Sequence, residues 1–428
     1  MGNNAKFENL IALAVPVFFI SIAIEIVASL IMKRKVYRFN DSISDLSAGM
    51  LQELVGVFTK ILLFGVYIII FDLVHKPANA LPGQTYGIPV NILTWVVVFL
   101  LVDVIYYWFH RNSHNVAVIW GSHEAHHSSQ EYNLSVALRQ GAFQRLFSFP
   151  YYLPMAIAGF SPLQFMVCSQ INTLYQFFIH TRLVNKLGFL EYFMNTPSHH
   201  RVHHGVNPKY IDKNHAGMLI IWDKIFGTFQ KEEEEPYYGT VKPLTTFNPV
   251  WAQLHYWWGL FQLSLKARGL DKLKVWFAGP GWKPDYLGGK HPIPEINPKT
   301  YEKYDPPNTT RLKIYAGIVF ALSLPIFLIL QRTKGLPVLN QLILAAPVVL
   351  GLAAAGGLMM RKKWGLVLEF IRVPLFIFVV FAMVSVLRRD IMITATAIAA
   401  AVGIIQLVWV IFEYRRGDNA LPLVQMLK

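Results

Sequence analysis

The chain has 428 residues, a formal charge of +14, 54% hydrophobic and 15% charged content, and a mean hydropathy of +0.39. That composition excludes an ordinary soluble domain and places the chain in a bilayer. Basic residues gather at the ends of apolar runs (Lys33, Arg34, Lys35 and Arg38; Arg361, Lys362 and Lys363; Arg415 and Arg416). There they face anionic headgroups, so the positive balance speaks for membrane anchoring and against a nucleic-acid partner.

A bilayer crossing takes roughly 20 apolar residues. In chain order, Leu10–Met32, Leu51–Leu73 and Ile92–Phe109 predict membrane helices, the second beginning amphipathically. Phe143–Phe178 is long and interrupted by Pro150, Pro154 and Pro162, which predicts a re-entrant or tilted hairpin. Leu312–Leu330, Leu342–Met360, Trp364–Leu387 and Ile391–Phe412 follow as further spans. The expectation is an all-α, polytopic integral membrane protein with about eight embedded segments.

Four blocks are expected: N-terminal membrane helices over 1–91, a histidine-rich core over 92–260, a Pro/Gly-rich polar connector over 261–310, and C-terminal transmembrane helices over 311–428. Gly279-Pro280-Gly281, Pro284, Pro292, Pro294, Pro298, Pro306 and Pro307 deny the stretch Gly279–Asn308 a long helix or a central strand. Counting spans from the basic cluster after the first puts Arg111–Gln140 and Thr181–Arg311 on the cytoplasmic side, with the pair Arg388–Arg389 opposite. Such a protein belongs to the inner or plasma membrane of a bacterium, or to the endoplasmic reticulum of a eukaryote. The acidic run Glu232–Glu235 reads as a solvated loop.

The chemistry is concentrated in histidine. Eleven of the 14 histidines fall between His110 and His215. His110 and His114 are spaced i,i+4, so a helix presents both on one face. His123, His126 and His127 form a His-x-x-His-His box, and His200, His203 and His204 repeat it, with His199 directly before. His180 ends the Phe143–Phe178 segment, and His215 follows Asn214. Clustered imidazoles are costly to desolvate and repel one another when protonated, unless a cation holds them neutral. Neutral imidazole suits zinc, copper, iron or nickel. The single Cys168 excludes thiolate clusters, and the number of imidazoles suffices for two metals with positions left open.

Supporting residues follow from spacing. Asp103 lies two helical turns before His110 within a span, where a bare carboxylate is expensive. It is the expected hydrogen-bond partner of a ligating imidazole, with Asn214 in a similar role. Tyr106, Tyr107 and Trp108 are read as an interfacial belt, and His75, His255 and His291 as non-ligands. His123-Glu124-x-x-His127 also satisfies the zinc-protease pattern with Glu124 as base, but it leaves His110, His114, His200, His203 and His204 unexplained. A histidine-lined metal transporter is the other non-oxygenase reading.

With these boxes in view, the sequence resembles the fatty acid hydroxylase and sterol desaturase superfamily, whose hallmark is His-x3-His followed by two His-x2-His-His boxes on helical membrane scaffolds. The likeness is strongest over Ile92–Gln230. Within it, Tyr106–Gln140 and Leu190–Phe229 are most similar to the members that act on glyceryl ethers. The resemblance implies a cytoplasm-facing centre of two iron ions, O2 as co-substrate, and a lipid substrate hydroxylated at its ether-linked carbon. Sterol desaturation or fatty acid or carotenoid hydroxylation are the alternatives within the superfamily. It further implies an external electron donor: tetrahydrobiopterin in the glyceryl-ether members, ferredoxin or cytochrome in others. His110, His114, His123, His126, His127, His200, His203 and His204 match the boxes, and His180 matches an additional family histidine. His199, His215, Asp103 and Asn214 are expected as further ligands or supports. No catalytic residue apart from the ligands is expected. The chain departs from the family pattern at Asn115, where an acidic residue is usual, and at His215, where an aromatic is usual.

Overall fold

Inside hydrocarbon every backbone polar group must be paired within the chain, so the apolar runs fold as helices. The structure, a computed structural model, describes residues 10–420 apart from 82, 291, 297–300, 334 and 388; His291, Pro298 and Arg388 therefore lie outside the described residues. In chain order the α-helices are α1 (Leu10–Ile31), α2 (Phe39–His75), α3 (Ile92–Asn115), α4 (Ala117–His127), α5 (Leu134–Leu138), α6 (Gln144–Ala158), α7 (Pro162–Phe178), α8 (Pro197–His203), α9 (Ile221–Ile225), α10 (Pro249–Lys266), α11 (Asp271–Phe277), α12 (Thr310–Arg332), α13 (Val338–Met359), α14 (Lys363–Leu387) and α15 (Met392–Ala420). Among the described residues there is no β-sheet, only one isolated bridge between Gly205 and Tyr238.

Seven of these helices, α1, α2, α3 and α12 to α15, are long and apolar enough to cross a membrane. The eighth expected segment is a hairpin. At 1.5 Å per residue α6 and α7 span only about 22 and 25 Å, and the chain reverses between them at Gly159, with φ 95°, before Pro162 opens α7 at a position where its missing N–H costs nothing.

The chain divides into two compact units. The first contains α1, the second half of α2, α3 to α9, and Gln253–Tyr301 with most of α10 and all of α11. Its apolar core joins Tyr67 and Phe71 of α2, Val98 and Val102 of α3, and Tyr152, Phe165 and Cys168 of the hairpin. A reciprocal cap starts α3: Asn91 Oδ1 accepts from the Thr94 N–H at 3.0 Å while Thr94 Oγ1 accepts from the Asn91 N–H at 2.9 Å. The other end of α3, with His110 and His114, meets α4 after a single intervening residue.

The second unit contains Phe39–Val57, Thr245–Ala252 and α12 to α15. Its centre is α13, whose small residues let neighbours approach closely: a Cβ on Gly356 would stand 2.4 Å from the Phe247 carbonyl oxygen, and one on Gly357 2.5 Å from the Trp364 ring. The amphipathic start of α2 is buried here, with Asn40 Nδ2 donating to Asp305 at 2.7 Å.

Candidate metal centre

Nine histidines converge on two adjacent points. His110, His114, His123, His127 and His203 offer ring nitrogens all within 4.8 Å of one another, as do His126, His180, His200 and His204, and all nine side chains are buried. Helical phase explains the division. In α4, His123 and His127 are four residues apart and share one stripe, while His126 lies on the next. In α8 and its C-cap the pattern inverts: His200 and His204 share the stripe facing the second group, and His203 turns to the first. Each His-x-x-His-His box thus serves both groups. The His127 and His204 rings stack at 4.3 Å where the groups meet.

Five of the nine rings have their outer nitrogen held by an acceptor, which fixes the tautomer of those five. Nδ1–H donates to the His215 carbonyl from His110 at 2.7 Å, to Gln144 Oε1 from His123 at 2.9 Å, to the Arg139 carbonyl from His126 at 2.7 Å, to the Gln176 carbonyl from His180 at 2.6 Å, and to the Lys213 carbonyl from His203 at 2.9 Å. In these five rings the inward Nε2 therefore carries a lone pair. Yet His110 Nε2 lies 2.9 Å from His123 Nε2, and His180 Nε2 lies 3.3 Å from His126 Nε2. Two lone pairs at such a distance repel, and only a cation between them makes the arrangement favourable. His114 Nε2 and His204 Nε2 are likewise buried without a hydrogen-bond partner, an arrangement that costs energy unless they are ligands. The donor set fits a metal.

Electrostatics agree. Burial pushes the His123 imidazole down to about 4. Burial first, then neighbouring imidazoles, hold His126, His127, His200, His203 and His204 well below the ordinary histidine value. The rings are neutral at physiological pH and available as ligands.

The expected supports are placed differently from the sequence reading. Asp103 does not touch an imidazole. Two helical turns put it on the face of His110, but about 10 Å along the axis, and its carboxylate accepts from Asn172 Nδ2, the Met218 and Leu219 N–H groups and Trp222 Nε1 at 2.7 to 3.0 Å. It pins the loop whose His215 carbonyl holds His110. Asn214, in a left-handed conformation at φ 55°, donates to the His199 and Gln230 carbonyls and joins α8 to that loop rather than reaching a ligand. His199 caps α8 by accepting from the Thr196 N–H and lies outside both groups. His215 packs beside the first group, its ring centroid 5.0 Å from that of His114, but is not among the five. Tyr107 is fully buried and hydrogen-bonds Thr228, and Tyr106 donates to Gln176 at 2.7 Å; only Trp108 of that trio has the exposure of a belt residue. Asn115, exposed, donates back to the Arg111 carbonyl.

Glu124 points away from both groups, its Oε2 3.1 Å from His255 Nε2. Among the described residues neither group counts a carboxylate among its ligands, although Asp212 Oδ1 lies 3.6 Å from His114 Nδ1; Glu124, the base of the protease pattern, is engaged by His255 instead. His75 donates to the Ile157 carbonyl at 2.9 Å, far from the boxes in role. The acidic run is more than a solvated loop: Glu232 forms a bidentate pair with Arg201 of α8 at 2.6 and 2.7 Å, and Arg201 also donates to the Thr181 carbonyl beside His180.

Several positioning residues escaped sequence reasoning. Gln144 and Asp223 carried no spacing signal; Asp223 accepts from the His215 and Ala216 N–H groups at 2.8 Å, and burial raises it to about 6. Glu25 did carry one, as a carboxylate inside the first apolar run. It accepts from Tyr37, from the Leu134 N–H at 2.8 Å and from Thr181, fastening α1 to the segment that carries His180.

Comparison with known proteins completes the picture. Residues 95–228 match the model of the family described as fatty acid hydroxylase. The chain is 38% identical over 386 residues to the alkylglycerol monooxygenase of Xenopus tropicalis, covering 88% of this chain and 84% of that one. The chain belongs to the fatty acid hydroxylase family. Against the Homo sapiens alkylglycerol monooxygenase the identity is 39%, with 85% and 81% covered; against the lathosterol oxidase of Mus musculus it is 28% over 146 residues, a third of this chain and 46% of that one. No solved structure matches. As a fatty acid hydroxylase family member with a buried histidine centre, the protein is an O2-dependent membrane lipid monooxygenase with a non-heme iron centre.

Proposed function

We propose that the centre holds two iron ions, one bound by His110, His114, His123, His127 and His203 and the other by His126, His180, His200 and His204, and that it hydroxylates the ether-linked carbon of an alkylglycerol. The observation that supports this reading is the pair of groups of neutral, inward-facing imidazoles, in a chain similar over most of its length to alkylglycerol monooxygenases. When bound, the iron would supply O2 activation with two external electrons and removal of hydrogen from the C–H bond. One oxygen atom enters the C–H bond and the other leaves as water; the resulting hemiacetal breaks its C–O bond to give an aldehyde and a glycerol derivative.

The protein's own part is placement. Five or four imidazoles per ion leave coordination positions open. The Nδ1–H clamps keep five of the nine rings turned inward and raise their basicity, and burial of the whole set excludes bulk water. The site faces the cytoplasm in this reading, because the basic cluster after α1 sits against the histidine core: Arg38 and Arg182 both pair with Glu131, at 3.0 and 2.6 Å. Tetrahydrobiopterin is the electron donor that this reading favours over ferredoxin or cytochrome.

The test is iron content together with aerobic turnover on a panel of alkylglycerol, fatty acid and sterol. Two irons per chain and an aldehyde formed from the alkylglycerol, dependent on tetrahydrobiopterin, are expected. A single metal, or turnover of the sterol alone, would refute it.

A further inference from the structure

Outside the centre, α10 and α11 carry a surface that the reaction does not use. Their inner face is packed on α4: Ala117, Leu260, Ala267 and Val275 form a small core, Trp257 Nε1 donates to the Val118 carbonyl at 2.8 Å, and the Ala117 N–H donates to the Ala278 carbonyl at 2.9 Å. The outer face is apolar. Leu254, Trp258, Phe261 and Leu265, three to four residues apart and so on one stripe, are 40 to 66% exposed. Beyond a turn at Gly269, with φ 50°, α11 continues it with Leu270, Leu273 and Phe277, each more than 60% exposed.

Such a continuous apolar face is untenable in water, and its edges are basic. Lys266, Arg268, Lys272 and Lys274 are exposed beside it, and Leu263–Lys290 contains six basic residues against two acidic ones. The level is also determined. α4 begins two residues after the membrane helix α3 ends, so α10 and α11, packed on α4, stand where hydrocarbon gives way to headgroups. At 18 residues α10 spans only about 27 Å, and it is not one of the seven crossing helices.

We propose that α10 and α11 lie in the membrane–water interface, with their apolar stripe in the acyl boundary and their basic rim on the headgroups of anionic phospholipid. The helix that carries the second histidine box is then seated directly on a lipid-bound element. This holds whichever lipid the centre oxidises.

The test uses the full chain in nanodiscs, with a nitroxide attached in turn at Phe261→Cys, Leu265→Cys and Leu273→Cys in a Cys168→Ala background, and at Glu233→Cys on the exposed acidic run as a water-side reference. Collision with O2 and with a water-soluble nickel chelate is read by power saturation. At the three stripe positions O2 collisions should dominate, with chelate collisions severalfold below those at Glu233→Cys. Replacing part of the phosphatidylcholine by phosphatidylglycerol should deepen the Leu273→Cys label, and Lys266→Glu, Lys272→Glu and Lys274→Glu together should abolish that shift. Three separate positions keep the result readable if one variant fails to assemble. Chelate collisions equal to the reference would put the face in water and overturn the proposal. Shielding from both reagents, with label-to-label coupling between two copies, would assign the face to a dimer and overturn it equally. Immersion indifferent to anionic lipid would remove the headgroup pairing.

Discussion

Two regions of this chain bury ionisable side chains within or beside membrane helices, and they meet the cost in opposite ways. In the C-terminal bundle, Glu369 and Arg372 of α14 are paired at 2.6 Å. Tyr315 of α12 donates to Glu369 at 2.6 Å, and Arg372 donates to Gln406 of α15 at 2.9 Å. The charges cancel and each carboxylate oxygen of Glu369 has a donor, so the ion pair is closed as it stands, with only the Gln406 amide nitrogen left over. In the histidine centre five of the nine rings have their outer nitrogen held by an acceptor, while inner nitrogens face lone pair to lone pair. A closed polar network holds helices together; an open one, held open by second partners, is a place for a ligand.

The sharpest way to break this contrast is to remove ligands from the open network. His126→Ala and His200→Ala should each reduce O2-dependent turnover to background and lower iron from two atoms per chain to one, with the protein still inserted in the membrane, because no span depends on these side chains. Normal iron content in either variant would show the second group to be misassigned.

Acid should separate the two regions next. The unfolded chain protonates its histidines near 6.5, whereas burial holds His123 at about 4 in the folded state. The neutral centre thus contributes its full stability above about pH 6.5, and that contribution is lost as pH falls through about 4. Iron retained after dialysis at a series of pH values should fall across this window; full retention at pH 4 would contradict the neutral-imidazole reading.

The closed network makes the complementary prediction. Glu369→Met leaves Arg372 buried and unpaired and should cost about 3–5 kcal/mol. The double variant with Arg372→Met should recover most of that, and both should keep the iron content of the parent. Thermal stability in detergent together with metal analysis decides it, and iron lost from the double variant would mean that the bundle does more than hold itself together.

The smallest effect belongs to Asp103, which acts on His110 only through the loop it pins. Asp103→Asn replaces one acceptor oxygen with a donor facing other donors. Iron affinity should fall about tenfold, the lower end of what losing an outer support costs, while α3 still inserts. An unchanged metal-binding isotherm would confine Asp103 to holding the loop.

Much of this protein was legible in its sequence because the bilayer imposes a simple code. Apolar length marked the spans, and helical periodicity decided which histidines share a stripe, as His123 shares one with His127 and His200 with His204; of the prolines in the Phe143–Phe178 segment only Pro162 stands at the break, since α6 runs on through Pro150 and Pro154 to Gly159. Only tertiary structure decided which stripes meet. The packing of α3, α4, α7 and α8 places His203 with the first group and His126 with the second, a choice no spacing encodes. The atoms that orient the rings were equally invisible, since four of the five Nδ1–H acceptors are backbone carbonyls, at His215, Arg139, Gln176 and Lys213, and every residue type carries one. Asp103 illustrates the same limit: its helical phase was right, but the 1.5 Å rise per residue put it a loop's width from the imidazole it seemed to serve. Residue type and spacing determine the chemistry a helix face can offer, whereas the partners of that face are determined by which other segments the fold brings against it.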